Sequence, residues 1–386
     1  MAINLRSLIL LTILSFSLQK GTIKAQSSDT ADFDKLVIEA SYTGDASYNL
    51  TGGIKRGFSY MGMANVQVSH STGKKGIFRN FRSHVHAINT HSKMRLSDLT
   101  GDMQVASNIE AGNHTFLQEL WLSKKFDKLE ITVGLQDMNV EFANSEYAGL
   151  FINSSFGVLP VITANMCAPV FPLTTTGITF KYQLLENITW LFALYDGCPE
   201  GLSGKSGNSR WRYYNGDGLL AISELQFTTE KNGLTASYEA GIFSVNNIVE
   251  ELFKIELFDS LRKDEAGIYL HTDHMLYKNG NSFVALFIQA GHILTGESFV
   301  DKYLGAGFNY QGIFRKDGND MLGLAIASAH LRDTQTMETA IELTYRNNLT
   351  RNISVQPDIQ YIINPSGTGQ MTPNALAGTL RFFIGF

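Results

Sequence analysis

The sequence predicts an all-β protein, an antiparallel transmembrane β-barrel of about sixteen strands with a long constriction loop after the fifth strand. Three observations carry this expectation. The last stretch, Ala375 to Phe386, puts Leu376, Gly378, Leu380, Phe382, Ile384 and Phe386 on one face of an extended chain and Ala377, Thr379, Arg381 and Phe383 on the other. The chain is exported, because Met1 to Ala25 has Arg6, an apolar run from Leu8 to Leu18 and a small residue at Ala25, the layout of a secretory signal peptide. Beyond it no apolar run approaches the roughly 18 residues of a spanning helix, while short turns alternate with long connections along the whole chain.

The closing strand explains the first observation. An open sheet edge in hydrocarbon leaves backbone N–H and C=O groups without partners, so the last strand of a membrane barrel must pair with the first. Phe386 is read as the end of that strand, where it closes the barrel and addresses the barrel-assembly machinery.

Taken in order, Leu36 to Tyr42 is the first alternating run, followed by a Gly- and Asn-containing loop from Thr43 to Gly57. Phe58 to Val68 sets apolar residues against Ser59, Asn65 and Gln67. Phe81 to Asn89, Thr115 to Phe126 and Leu129 to Leu135 make the third to fifth runs, with Asp127-Lys128 as a tight turn. The connection from Asp137 to Thr176 then stands out in a chain of short turns, and long connections in a compact domain are usually functional. Runs resume at Gly177–Leu184, Ile188–Tyr195, Gly218–Phe227, Leu234–Phe243, Gly267–Met275 and Ser282–His292. Tyr303–Gln311, Met321–His330, Thr339–Arg346 and Ile353–Ile363 precede the closing strand. The domain plan is thus a leader over 1–25 and a single barrel over 26–386.

Alternation assigns Arg82, Glu119, Lys181, Glu224, Glu239, Glu342, Asp358 and Arg381 to the lumen wall, each read as a solvated wall residue. Their mixed signs do not make the ring of like charges that strong ion selectivity needs. The chain carries a formal charge of −5, and removal of Arg6, Lys20 and Lys24 with the leader makes it more negative, so nucleic acid is not a partner. His84 and His86 are two apart on one strand, and His271 with His274 forms a second pair. A metal site needs ligands from several elements; none is assigned, and all four are read as lumen histidines with no metal or cofactor. Cys167 and Cys198, the two cysteines, are a candidate disulfide of the outer loops, two free thiols being the alternative.

Several stretches resemble the carbohydrate-selective outer-membrane porins of the OprB type. They are SYTGDASYNLTGGIKRGFSYMG from Ser41, GDMQVASNIEA from Gly101 with ELW from Glu119, and VGLQDMNVEFANSEYAGLFINSSFGVLP followed by PVFPLTTTGI. The RKDGND turn, the ELTYR strand and QPDIQYIINPSG continue the likeness almost to the end. The resemblance implies passive, diffusion-driven passage of small sugars across the bacterial outer membrane. Family precedent leaves monomer and homotrimer open.

Within the long connection, Asp137, Asn139, Glu141, Asn144, Glu146 and Asn153 are expected to exchange hydrogen bonds with sugar hydroxyls in the constriction. Phe142 and Phe156 either offer flat faces to sugar rings or pack the loop on the wall. A general porin and a closed-lumen adhesin are the competing expectations. An outer-membrane hydrolase is disfavoured, since no serine is placed beside a histidine and a carboxylate. A plugged receptor needs a domain ahead of Leu36, and there is no room for one.

Overall fold

The computed structural model describes residues 35–73, 79–197, 207–209, 211, 218–246, 265–296, 298–368 and 371–386. The leader and Cys198 lie outside them. Sixteen strands form one closed antiparallel barrel in which each strand pairs with its neighbours in sequence and β16 returns to β1. They are β1 Lys35–Thr51, β2 Gly57–Ser71, β3 Phe81–Ser92, β4 His114–Phe126, β5 Leu129–Gln136 and β6 Thr175–Leu185. Next come β7 Ile188–Asp196, β8 Leu219–Lys231, β9 Leu234–Asn246, β10 Glu265–Asn279 and β11 Ser282–Thr295. The circuit ends with β12 Val300–Gln311, β13 Asp320–Leu331, β14 Thr336–Asn348, β15 Ile353–Ile363 and β16 Ala375–Gly385.

All the expected runs are strands, but the first extends further than its sequence suggests. Thr43 to Thr51 is not loop; it continues β1 in register with both β2 and β16. The reason is the lumen face. Asp45, Ser47 and Asn49 point inward and are buried, so this half-strand has the polar composition of a turn. Ser47 Oγ meets Thr379 Oγ1 at 2.9 Å, and the Arg381 guanidinium donates to both Asp45 oxygens at 2.7 and 2.8 Å. That fork crosses the closing seam.

Chain closure ends at Phe386, whose N–H donates to the Ala40 carbonyl at 2.8 Å. Its side chain is 79% exposed, and outward residues such as Ile38, Leu122, Leu270, Leu304 and Leu380 are likewise uncovered, which makes the outside of the barrel an apolar belt. Polar atoms on that belt find partners on it, as hydrocarbon demands. Trp190 Nε1 donates to Ser223 Oγ at 2.9 Å, and the Tyr42 hydroxyl lies 2.6 Å from that of Tyr60 and 3.0 Å from His91 Nε2.

Several turns at one rim are tight. Asn232 and Gly233 both adopt positive φ (56° and 76°) between β8 and β9, the backbone twist that matches a two-residue hairpin. The opposite rim carries the long connections 93–113 and 137–174.

Inward residues are mostly polar on β1–β4 and β14–β16, apart from a smaller core in which Met61, Ile362, Ala375 and Ala377 meet Leu96 and Leu99 of the 93–113 connection; the arc between is different. On β7 to β13 the inward side chains include Leu191, Ile222, Phe243, Tyr269, Phe287 and Ala327, all buried. This arc is covered by protein rather than by water, and what covers it is the segment 137–174.

Candidate functional site: the loop inside the barrel

Segment 137–174 turns inward at the end of β5 and packs its apolar residues onto the bare arc. Met138, Phe142, Leu150, Phe151, Phe156 and Leu159 join Phe243, Tyr269, Phe287 and Ala325 in one core. Phe151, Phe156 and Phe287 form a mutual aromatic cluster with ring centroids 5.0–5.8 Å apart. Burial of each such side chain contributes about 1.5–3 kcal/mol. The seat is shaped for it: a Cβ at Gly323 of β13 would meet Leu150 Cδ2 at 2.6 Å and Phe151 Cζ at 2.7 Å. Only a glycine lets the loop lie that close to the strand.

Polar side chains of the wall then hold the loop by its main chain, and they divide the work by chemistry. Carboxylates, which only accept when ionised, take N–H groups. Glu224 accepts from Ala143 N at 2.8 Å, Asp273 from Glu146 N at 2.8 Å and from Ser145 Oγ at 2.6 Å, and Glu342 from Ile152 N at 2.7 Å and Asn153 N at 3.0 Å. Amide and phenol groups take the carbonyls. Gln289 donates to Phe156 O at 2.9 Å, Asn309 to Tyr147 O at 2.7 Å, Gln356 to Leu150 O at 2.8 Å and Tyr303 to Ser155 O at 2.9 Å. The same device fixes the neighbouring 93–113 connection, where Glu338 accepts from Met103 N and Gln104 N at 2.9 Å each and Gln360 donates to Ala106 O at 2.8 Å. Buried backbone groups without secondary-structure partners are thereby satisfied.

The expected path residues separate into two groups. Asn144 and Glu146 are exposed, and Glu141 is partly exposed with its Oε2 2.7 Å from Lys181 Nζ. Asp137, Asn139 and Asn153 instead work inside the loop. Asp137 accepts from Asn139 N at 3.0 Å, Gln118 Nε2 at 2.8 Å and Phe171 N at 3.1 Å. Burial, with the charge of Glu119 nearby, nevertheless pushes its carboxyl up to about 7. The Asn139 amide reaches the carbonyls of Phe142, Ala143 and Gly157, and Asn153 accepts from Ser155 N at 3.0 Å while donating to Gln360 Oε1 at 3.1 Å. Phe142 and Phe156 are at most 1% exposed, so they pack the loop on the wall and present no face to the channel.

The wall residues also depart from the solvated state expected of them. Glu119, Glu224, Glu342 and Asp358 are buried, Glu224 and Glu342 beneath segment 137–174 and Glu119 among His84, His86 and Trp121 of the wall itself. Asp358 accepts from Gln360 Nε2 at 3.2 Å, and Arg82 pairs with Glu130. Arg381 is engaged by Asp45 and also donates to Asn108 Oδ1 at 2.8 Å. Glu239 has a buried Oε2 without a hydrogen-bond partner among the described residues. His271 is buried on the inner side, whereas His274, three residues on, lies against Tyr238 of the outer face in an edge-on contact at 5.0 Å. An odd spacing in a strand puts two residues on opposite faces, so these histidines are not a pair. His84 and His86, by contrast, converge on Glu119.

Sequence reasoning missed Asp45 and Glu338. Asp45 sat in the stretch taken for loop, and Glu338 lay one residue ahead of the expected start of its strand. An acidic residue sharing the inward phase of Ala340 and Glu342, two and four residues on, was the signal available.

A closed sixteen-strand barrel with an apolar outer belt and a connection folded into its lumen defines an outer-membrane porin, a channel rather than an enzyme. Residues 55–386 match the family model described as carbohydrate-selective porin, OprB family, and the chain belongs to that family. Among solved structures, it is similar to the high-pH structure of Pseudomonas putida OprB, with 18% identity, a TM-score of 0.79 and coverage of 91% of this chain and 94% of that one. It is similar also to the outer-membrane channel DcaP of Acinetobacter baumannii, at 9% identity, TM-score 0.57 and coverage of 92% and 98%. The trimer form of Vibrio cholerae OmpT gives 9% identity, TM-score 0.54 and coverage of 92% and 100%. At these identities the likenesses bear on the fold. No curated protein sequence matches the chain.

Proposed function

We propose that this porin gives small carbohydrates a passive, diffusion-driven path across the outer membrane, through a water-filled barrel narrowed by segment 137–174. The observation that carries the reading is the anchoring of that segment across the lumen by wall side chains from β8 to β15, which leaves Asn144 and Glu146 exposed. Glu141, held by Lys181, extends the same polar edge. Hydroxyl groups of a sugar exchange hydrogen bonds with such side chains at little net cost, and weak binding lets the solute leave as readily as it enters. The apolar outer belt faces lipid, and the strand ending at Phe386 addresses the assembly machinery.

Liposome swelling with the refolded barrel tests the proposal, with glucose, a disaccharide, a neutral amino acid and a salt compared at equal osmolarity. Faster swelling with sugars is expected. Equal rates would make the channel a general porin, and no swelling from protein shown to be folded would refute passage altogether. Native electrophoresis of the same sample distinguishes monomer from homotrimer.

A further inference from the structure

We propose that His84, His86 and Glu119 form a binding site for one first-row transition-metal dication on the lumen wall between β3 and β4. Glu119 Oε2 stands 3.6 Å from His84 Nε2 and 3.8 Å from His86 Nδ1, and one ligand atom from each residue falls within 4.8 Å of the others. Two ligands at ~2.0–2.1 Å from a tetrahedral ion lie about 3.3 Å apart. The three donors are within a few tenths of an ångström to about 1.5 Å of that spacing.

The surroundings prepare these atoms for a metal. His86 Nε2 sits 3.0 Å from Asn65 Oδ1, an acceptor, so the ring proton is on Nε2 and the Nδ1 lone pair points at Glu119. His84 Nδ1 lies 2.8 Å from Ser69 Oγ, a hydroxyl that can accept from it; in the tautomer with the proton on Nδ1, Nε2 is free to ligate. Trp121 Nε1 donates to Glu119 Oε1 at 3.1 Å and stacks on the His84 ring with centroids 5.1 Å apart. Each ligand thus has an outer partner of the kind that orients ligands in metal sites.

Backbone geometry points the same way. A β-bulge falls between the pairs His86↔Glu119 and Ala87↔Leu117, so Gln118 is the extra residue and both Gln118 and Glu119 turn inward. The bulge brings a carboxylate from a second strand to the two histidines. An ordinary histidine–carboxylate pair in this protein looks different: His330 Nδ1 is 2.5 Å from Asp301 Oδ1. At 3.6 and 3.8 Å the Glu119 contacts are too long for hydrogen bonds, and an ion fits the gap.

Two imidazoles and one carboxylate suit Zn²⁺, Ni²⁺, Cu²⁺ or Fe²⁺ and not Mg²⁺ or Ca²⁺, which take oxygen ligands. With neutral imidazoles the site carries −1, and loading it with a dication makes that +1. Occupancy reverses the local sign of the lumen wall.

The test uses the refolded mature barrel without a histidine tag. Calorimetric titration with Zn²⁺ is expected to give one ion per chain, with affinity at least tenfold weaker in His86→Gln and Glu119→Gln and unchanged in His274→Gln on the outer face. Ser69→Ala, which keeps all three ligands, should weaken binding about tenfold by loosening the His84 ring. Cu²⁺ bound to the unaltered barrel should show coupling to two imidazole nitrogens by electron paramagnetic resonance, a readout that does not depend on any variant folding. Absence of stoichiometric binding, affinity indifferent to both ligand substitutions in folded barrels, or a Cu²⁺ spectrum without two nitrogens would overturn the site and leave a histidine–carboxylate ion pair.

Discussion

Replacing Glu342 with alanine removes a wall side chain that is fully buried and accepts hydrogen bonds from two loop amides, Ile152 N at 2.7 Å and Asn153 N at 3.0 Å. Each orphaned buried donor costs about 1–3 kcal/mol, so docking of residues 150–154 should weaken by roughly 2–6 kcal/mol. Since 1.36 kcal/mol is a factor of ten, local opening should become at least about thirtyfold more frequent. The barrel itself should stay folded, because the backbone of residue 342 keeps its pairing with Ala325 and Gln360 and only the side chain is removed. Hydrogen exchange at the Ile152 and Asn153 amides reads the opening directly, and planar-bilayer recording reads its effect on the channel as added current noise. Glu146→Gln, at an exposed position, is the control and should change neither amide. Exchange within twofold of the unaltered protein at both amides would refute the tether.

Arg381→Ala leaves the Asp45 carboxylate buried without its guanidinium, and the loss of about 3–5 kcal/mol should lower the thermal unfolding temperature in detergent; adding Asp45→Asn should recover most of it. Gly323→Val sets a side chain where Leu150 and Phe151 now lie, so the loop should be displaced and single-channel conductance should rise, a change that electrophoretic heat-modifiability can separate from misfolding. The Asp137 carboxyl, pushed up to about 7 by burial, favours its protonated form in the folded loop. Its contribution is complete below the ordinary carboxylate range near 4 and is lost as pH rises through about 7. Exchange protection of residues 138–142 should therefore decline between those values, and Asp137→Asn should flatten the decline. Glu146→Gln should alter the ratio of glucose to amino-acid swelling rates by less than tenfold, as befits one weak contact, and leave folding intact.

Strand order and closure were legible because alternation is a property of the backbone: a residue's face follows from its parity whatever it touches. Tyr60, Val66, Leu270 and Leu380 could be placed outside without knowledge of their neighbours. Contacts made by the loop were not legible, because they join residues such as Ala143 to Glu224 or Ile152 to Glu342, far apart in sequence and without any local pattern. Four acids counted as solvated wall charges, Glu119, Glu224, Glu342 and Asp358, proved to be buried for the same reason: parity shows that a side chain points inward, not whether water or protein meets it there. Parity also failed at Gln118, where a bulge adds one residue and changes the phase of everything above it. The meeting of His84, His86 and Glu119 depended on that local irregularity and on strand register, neither of which a single strand's composition reveals.

The hydrogen bonds by which the wall holds the loop go mostly to peptide groups, and peptide groups are the same whatever residue carries them. Inheritance of the loop's position is therefore decoupled from the identity of its tip. Substitutions at Asn144 or Glu146 change what a passing solute meets while Glu224, Asp273 and Glu342 continue to hold the same main chain. A lineage with this barrel can try new solute preferences one residue at a time without rebuilding the frame, and an engineer can do so by the same route.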